Sequence, residues 1–184
     1  MDFFDGKLSG NFAAYEIKLE NALTQDRTAP GFSVQGGVTS SMGYETDLAY
    51  APTRNFQVIG GFGVNKFRRN AQIEAPLAGR EVPLWQYKAS LWAKYDLREG
   101  QWKGLGLGLG VIHESERHGE FDRRFRVPGY TVVNGLVGYA WGRYAVSVNI
   151  ENLLDRRYVL RIEEARLSNF GAPLSFKATL SAKF

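Results

Sequence analysis

The sequence predicts an all-β protein, a transmembrane, antiparallel, up-and-down β-barrel of about eight strands. Apolar and polar residues alternate with a period of two over segments that are mostly about 11 to 18 residues long, whereas globular strands have roughly 5 to 6. Long and short connections alternate between these segments. The last segment ends on Phe184, an aromatic residue that suits the lipid interface.

The composition is consistent with one barrel domain over residues 1–184. No run approaches eighteen consecutive apolar residues, so no transmembrane helix is expected. Cysteine is absent, which excludes disulfides and thiol chemistry. The net charge of +4 is spread along the chain, so we expect no nucleic-acid partner. The first residues lack the basic start and apolar core of a signal peptide, so a processed, recombinant or fragmentary chain is expected.

The first four strands are predicted over residues 7–23, 32–51, 56–67 and 84–97. In the first strand the apolar residues change parity after Ala14, which predicts a bulge at residues 13–14. In the second strand Glu45 and Asp47 alternate with Tyr44 and Leu48. The two acidic residues are therefore predicted to face inward and the apolar ones lipid.

The last four strands are predicted over residues 104–115, 129–141, 144 to about 158, and about 171–184. Gly142 and Arg143 suit a two-residue type II′ turn. The fifth strand carries a stripe of glycines on one face, namely Gly104, Gly106, Gly108 and Gly110. Such a stripe either makes room for Trp92 and other bulky inward side chains, or it once faced a plug in the lumen or merely permits the strand to bend.

The connections indicate a direction across the membrane. Residues 24–31, 68–83, 116–128 and the segment before residue 171 are long, whereas residues 51–55, 98–103 and 142–143 are short. Outer-membrane barrels have short periplasmic turns and longer external loops, so the bacterial outer membrane is the expected location. A lipocalin-like soluble barrel shows the same alternation with the faces reversed, but the loop asymmetry, the strand lengths and Phe184 favour the membrane.

Four motifs occur in a characteristic order. Residues 43–47 read GYETD, 128–134 read PGYTVVN, 148–158 read VNIENLLDRRY and 171–174 read GAPL. In this order they resemble the "G-x-E-x-D", "P-G-Y-x-x-x-D/N", "N-L-F-D-x-x-Y" and "G-x-P-R" segments in the C-terminal β-barrel region of TonB-dependent outer-membrane siderophore receptors. Leu174 stands where arginine is usual. The resemblance implies structural roles for Asn152, Asp155 and Tyr158.

Complete receptors of that family have about 22 strands and a plug domain, and the resemblance covers only the last eight or so strands. Alone in lipid, eight strands would leave two unpaired edges, so we expect the first and last strands to close a small, filled barrel. Its lumen network would comprise Glu45, Asp47, Lys88, Trp92 and Lys94. Such a chain would have a structural or surface role without energy-coupled transport.

Two other functions are considered. The chain is alternatively a segment of a complete receptor that takes up ferric siderophores. A remote alternative is a small lipid-modifying barrel enzyme, which the candidate residues do not favour. His113, His118, Glu114 and Glu116 lie near a loop, and Ser115, His113 and Asp122 lack the ordered context of a catalytic triad. We therefore expect no catalytic residues, no metal and no cofactor.

Two groups of residues are expected to meet partners outside the barrel. The basic residues of the external loops are predicted to contact lipopolysaccharide or an anionic iron chelate, unless they form a solvated rim: Arg68, Arg69, Arg117, Arg123, Arg124 and Arg126. The last strand resembles the terminal signal that the outer-membrane barrel assembly machinery recognises, which assigns that role to Leu180, Ala182 and Phe184. Outer-membrane lipid completes the expected partners.

Overall fold

The computed structural model describes residues 2–21, 23–25, 29, 31–35, 38–70, 85–118, 126–164 and 167–184. Within these ranges every regular element is a strand. The strands are β1 Asp2–Phe3, β2 Leu8–Glu20, β3 Leu23–Gln25, β4 Ser33–Gln35, β5 Val38–Thr53, β6 Phe56–Asn70, β7 Trp85–Asp96, β8 Leu105–Glu114, β9 Arg117–His118, β10 Arg126–Val127, β11 Tyr130–Trp141, β12 Tyr144–Glu151, β13 Val159–Glu164, β14 Leu167–Phe170 and β15 Ser175–Ala182.

One antiparallel sheet contains the long strands in chain order, β1-β2-β5-β6-β7-β8-β11-β12-β15. The predicted up-and-down order of eight long strands is therefore confirmed, with the short β1 added beside β2. Three separate hairpins, β3–β4, β9–β10 and β13–β14, extend from the end of the sheet where long connections were predicted. Residues 71–84, in the remaining long connection, lie outside the described residues.

The predicted bulge at residues 13–14 is wrong. β2 pairs with β5 in an unbroken register from Leu8 to Glu20. The apolar pattern shifts because the outward face becomes polar along the strand. Phe12 and Ala14 are followed on that face by Glu16 and Lys18. The polar residues indicate where the strand leaves the hydrocarbon layer.

Two other predicted strand ends are wrong. The third long strand pairs with its neighbour as far as Asn70, so Arg68 and Arg69 lie on β6 rather than in a loop. The seventh ends at Glu151 instead of near residue 158, because Asn152 and Asp155 adopt left-handed φ angles of 51° and 47° that end the extended strand. By contrast, Gly142 has φ 54° between paired β11 and β12, as the predicted type II′ turn requires.

The outward face of the sheet is apolar and largely exposed. Large apolar side chains on this face include Phe12, Leu48, Leu91, Leu109, Val137, Phe176 and Leu180. Aromatic rings form a row across five strands, with centroid distances of 6.3, 6.4, 6.4 and 5.5 Å along Phe12, Tyr44, Phe62, Tyr87 and His113. A second group, Tyr139, Trp141 and Tyr144, lies at the end with the short turns. Aromatic residues at both ends of an apolar band are typical of the girdles of membrane barrels.

The sheet is open. β1 and β15 form its two ends, and among the described residues no pairing joins β2 to β15. The expected pairing between the first and last long strands is therefore not observed. No helix in the described part of the chain is long and apolar enough to cross a membrane.

Candidate functional site

The inward face carries the polar groups and a broad cavity of about 610 Å³. Its lining includes Tyr15, Glu45, Asp47, Asn65, Ser90, Lys88, Glu114, Arg117 and Leu160. Gly61 of β6 leaves room for side chains of the two neighbouring strands. A Cβ at Gly61 would lie 3.0 Å from an Asp47 carboxylate oxygen and 3.2 Å from the Ser90 hydroxyl. The absence of a side chain at Gly61 therefore gives the Asp47 and Ser90 side chains room at the cavity wall.

Glu114 is the centre of the polar contacts. Its Oε1 accepts from Lys88 Nζ at 3.0 Å, and its Oε2 accepts from Arg117 Nη1 at 2.9 Å. The Tyr130 hydroxyl also hydrogen-bonds to this carboxylate. One side chain thus connects β7, β8, β9 and β11 on the inward face.

The two cations that contact Glu114 differ in exposure, which leads to a stability prediction. The Lys88 side chain is 63% exposed, so Lys88→Ala should lower the free energy of unfolding by less than about 1 kcal/mol. Glu114→Ala should lower the free energy of unfolding by about 1–3 kcal/mol, because it leaves the more buried Arg117 without its carboxylate partner. Urea unfolding in detergent compares the two variants, and equal losses would contradict this difference.

A second polar group lies on the inward face of β2, β5 and β6. Asn65 Nδ2 donates to the Tyr15 hydroxyl at 3.1 Å and to Ser41 Oγ at 2.9 Å. Gly43 lies between them, and a Cβ there would be 2.9 Å from the Tyr15 hydroxyl oxygen. These hydrogen bonds fix the Tyr15 ring at the edge of the cavity.

The glycine stripe of β8 makes room for Trp92. A Cβ at Gly108 or at Gly110 would come within 2.7 Å of atoms of the indole. Further along, Lys94 Nζ pairs with Asp96 at 2.9 Å, and a Cβ at Gly106 would lie 2.8 Å from the Asp96 carboxylate. At Gly106, Gly108 and Gly110 the structure therefore favours the first explanation of the stripe, which is space for inward side chains.

The segment after β12 is organised by Asn152, which is 1% exposed. Its side-chain nitrogen donates to the carbonyls of Arg156 and Ala172, both at 2.9 Å, and its oxygen accepts from the Arg156 amide at 2.9 Å. Asp155 accepts from the Leu174 amide at 3.0 Å. These contacts support the structural roles that the resemblance implied for both residues.

Tyr158 anchors the start of the β13–β14 hairpin. Its ring lies 4.3 Å from that of Tyr130, centroid to centroid. A side chain at Gly171 would overlap the Tyr158 ring, and the Gly171 amide donates to the Tyr158 carbonyl at 2.9 Å. Both ends of the hairpin therefore meet at the inward face of β11.

The predicted lumen network is only partly formed. Lys88 and Lys94 have acidic partners, and Trp92 packs as expected, but Glu45 and Asp47 lie exposed on the cavity wall. Among the described residues no ion pair joins these two carboxylates to the lysines, because the open sheet leaves them in solvent rather than in a filled lumen. Glu114 was missed, although it shares the parity of the glycine stripe and so belongs to the inward face.

The predicted basic rim separates into different environments. Arg117 lies on β9 and is 19% exposed, with protein partners, whereas Arg126 on β10 is 66% exposed and pairs with Glu116 at 3.3 Å. Arg123 and Arg124 lie outside the described residues. Contact with lipopolysaccharide or a chelate stays a prediction for this set.

Of the candidate catalytic residues, Ser115 and His113 have different hydrogen-bond partners. Ser115 Oγ accepts from the Tyr87 amide at 3.0 Å, whereas His113 Nδ1 lies 2.8 Å from Thr131 Oγ1 on the outward face. Asp122 lies outside the described residues. In the part of the chain that the structure describes, no group of three His, Asp or Glu side chains could hold a metal ion.

Comparison with known proteins places this open sheet in a family. The family model for the β-barrel of TonB-dependent-receptor-like proteins matches residues 1–153. The chain belongs to the TonB-dependent receptor β-barrel family. Its location is accordingly the outer membrane of a Gram-negative bacterium.

The relatives are receptors of much greater length. The metal-pseudopaline receptor CntO of Pseudomonas aeruginosa is 31% identical over 163 residues, which cover 88% of this chain and 23% of that protein. The ferrichrome outer membrane transporter/phage receptor of Escherichia coli is 28% identical over 185 residues, covering 94% and 24%. The chain thus spans about a quarter of the length of the curated relatives that it matches.

Solved structures show the same arrangement of strands. The siderophore receptor PiuA from Acinetobacter baumannii superposes with a TM-score of 0.80 at 20% identity, over 98% of this chain and 27% of that one. The Pseudomonas aeruginosa ferripyoverdine receptor gives a TM-score of 0.75 at 20% identity, over 100% and 26%. The sheet therefore has the fold of part of a TonB-dependent receptor barrel, which accounts for its open edges.

Proposed function

We propose that this chain forms the C-terminal part of the barrel wall in an outer-membrane receptor that takes up ferric siderophores. The observation that carries the proposal is the open nine-stranded sheet, which matches part of the barrel in siderophore receptors over nearly the whole chain. Unpaired strand edges in lipid are costly, so β2 and β15 are expected to pair with further strands of a larger barrel. We prefer this function to that of a small closed barrel with a structural role.

The two faces of the sheet suit this position in a barrel wall. The outward face is apolar and contacts lipid, whereas the inward face presents Glu45, Asp47, Lys88 and Asn65 to the lumen. We infer that the chain acts in binding and passage and not as an enzyme. The relatives support this inference, because their names describe receptors and transporters.

Iron uptake tests the proposed function. Cells that lack their own siderophore receptors, but express the gene encoding this chain, should accumulate ⁵⁵Fe from at least one of ferrichrome, ferrioxamine B and ferric pyoverdine. Deletion of residues 8–184 should abolish that uptake, because it removes part of the barrel wall. The function is contradicted if no chelate is taken up although the protein is present and folded in the outer membrane.

We also propose that the C-terminal residues Leu180, Ala182 and Phe184 act in assembly. Leu180 and Phe184 are strongly exposed on the edge strand and beyond it, where a recognition factor can reach them. Deletion of Phe184 should reduce insertion into the outer membrane of cells several-fold while leaving refolding in detergent nearly unchanged. Equal losses in both assays would indicate a packing role instead.

A further inference from the structure

The end of the sheet with the short turns is basic. Residues 4–7, 51–55, 97–104, 142–143 and 183–184, all within the described ranges, lie at this end. The basic residues among them are Lys7, Arg54, Arg98, Lys103, Arg143 and Lys183, and the acidic ones are Asp5 and Glu99. Short turns of outer-membrane barrels face the periplasm. This end therefore meets the periplasmic leaflet of the membrane, which consists of phospholipids.

Arg143 is held beside the aromatic rings of the outward face. Its Nε and Nη2 donate to the Tyr144 hydroxyl at 3.1 and 3.0 Å, and its guanidinium carbon lies 5.2 Å from the centroid of the Tyr144 ring. Tyr144 in turn pairs with Trp141, with 6.1 Å between the ring centroids. In the part of the chain that the structure describes, no carboxylate forms an ion pair with Arg143. A guanidinium has further N–H donors beyond these two bonds, and they can bind an anion.

The neighbouring turn adds a second cation and another aromatic residue. The Ala140 amide donates to the Gly104 carbonyl at 2.9 Å, so residues 98–104 lie beside the end of β11. In this turn Lys103 is exposed and Trp102 is 58% exposed. Indole rings favour the membrane–water interface, and lysine can keep its ammonium group at that level while its stem covers apolar surface. Two basic residues therefore border the group of aromatic rings at this end.

We propose that Arg143 and Lys103 bind the phosphate of an anionic phospholipid of the periplasmic leaflet, whose acyl chains lie on Tyr139 and Trp141. An anionic headgroup complements the two cations, whereas a zwitterionic headgroup brings a cation of its own. Tyr144 is a positioning residue, because its hydroxyl holds the guanidinium at the level of the rings. The site requires only that the sheet lies in the outer membrane, so it does not depend on iron uptake.

Fluorescence quenching by spin-labelled lipids tests the site in the intact protein, reconstituted into mixed vesicles of phosphatidylcholine and phosphatidylglycerol. The chain has no cysteine, so bimane attached at Leu107→Cys is its single reporter. Leu107 is exposed on the outward face and pairs with Val137. Phosphatidylglycerol with a nitroxide on its acyl chain should be enriched there at least about fivefold over phosphatidylcholine with the same label, the ratio expected for one basic residue at an anionic lipid surface. Equal quenching by the two lipids would overturn the proposal.

Variants separate a local site from a general attraction between charges. Arg143→Gln should remove most of the enrichment, and the double variant with Lys103→Gln should remove the rest. Tyr144→Phe should remove part of it, because it keeps the ring but loses the hydroxyl that holds the guanidinium. As the matched control, Arg54→Gln makes the same charge change in a turn on the far side of β7 and β8 and should leave the ratio nearly unchanged. An unchanged ratio in Arg143→Gln, or an equal loss in Arg54→Gln, would contradict a site at Arg143.

Discussion

Substitution of Gly110 by alanine is expected to destabilise the barrel by about 1–3 kcal/mol, a large effect for one methyl group. The added Cβ would collide with the Trp92 indole, with Cζ3 at 2.7 Å and another ring atom closer still. Neither the ring nor the backbone can move easily, because β7 and β8 are paired on both sides at this level. Urea unfolding in detergent, followed by tryptophan fluorescence, measures the loss.

Two further variants isolate the contact with the indole. Gly138→Ala adds the same methyl group on the inward face of β11, where the nearest atoms lie 3.6 and 3.7 Å away, and should change stability by less than about 0.5 kcal/mol. Introduced into the Gly110→Ala variant, the second substitution Trp92→Leu should recover most of the stability that Gly110→Ala loses. If Gly138→Ala is as destabilising as Gly110→Ala, the effect comes from strand glycines in general and not from Trp92.

The second large effect is expected at Asn152. Asn152→Ala removes three side-chain hydrogen bonds of a residue that is 1% exposed and leaves two carbonyls and one amide without that partner. The expected cost is about 3–5 kcal/mol, given that each buried unsatisfied group costs about 1–3 kcal/mol. The folded fraction of protein extracted from outer membranes, resolved on semi-native gels, should fall accordingly.

The backbone of Asn152 requires its own control, because φ is 51° and asparagine tolerates that region better than alanine. Asn152→Gly removes the side-chain hydrogen bonds without the strain, so it should still lose most of the stability. Asn149→Ala, on neighbouring β12, should have a small effect. A stable Asn152→Gly variant would mean that the left-handed conformation, rather than the hydrogen bonds, makes this position important.

The long strands and their order could be predicted from sequence because alternation in a membrane sheet is strict. On the wrong face, a charged residue would contact lipid and an apolar residue would lose its contact with lipid. Glu45 and Leu48 therefore indicate their faces unambiguously. The same argument failed in the first strand. There the outward face changes from apolar at Phe12 to polar at Glu16, where the strand leaves the membrane. The register itself is unbroken, so the pattern reflects a change of environment and not a bulge.

The inward contacts were harder to predict because they depend on which strands meet. Alternation places Glu114 on the inward face, but only the register puts it opposite both Lys88 and Tyr130. The Arg117 contact with Leu160 joins residues 43 positions apart through two hairpins, and no local pattern indicates it. Closure was also expected, and the described sheet shows no pairing between β2 and β15. Periodicity indicates how many strands there are but not the radius of the barrel on which they lie.

The distance between the two edges of the sheet tests most directly whether the chain is an arc of a wide barrel. Spin labels at Phe12→Cys on β2 and Leu180→Cys on β15 would both face lipid from strongly exposed positions. Seven intervals of about 4.8 Å separate these strands, and the register places the two labels eight residues, or about 27 Å, apart along the strand direction. Pulsed electron paramagnetic resonance on the protein in outer membranes should therefore give a distance of about 40 Å. A distance below about 15 Å would place β2 beside β15, as in a closed barrel of eight strands, and would contradict the open arc.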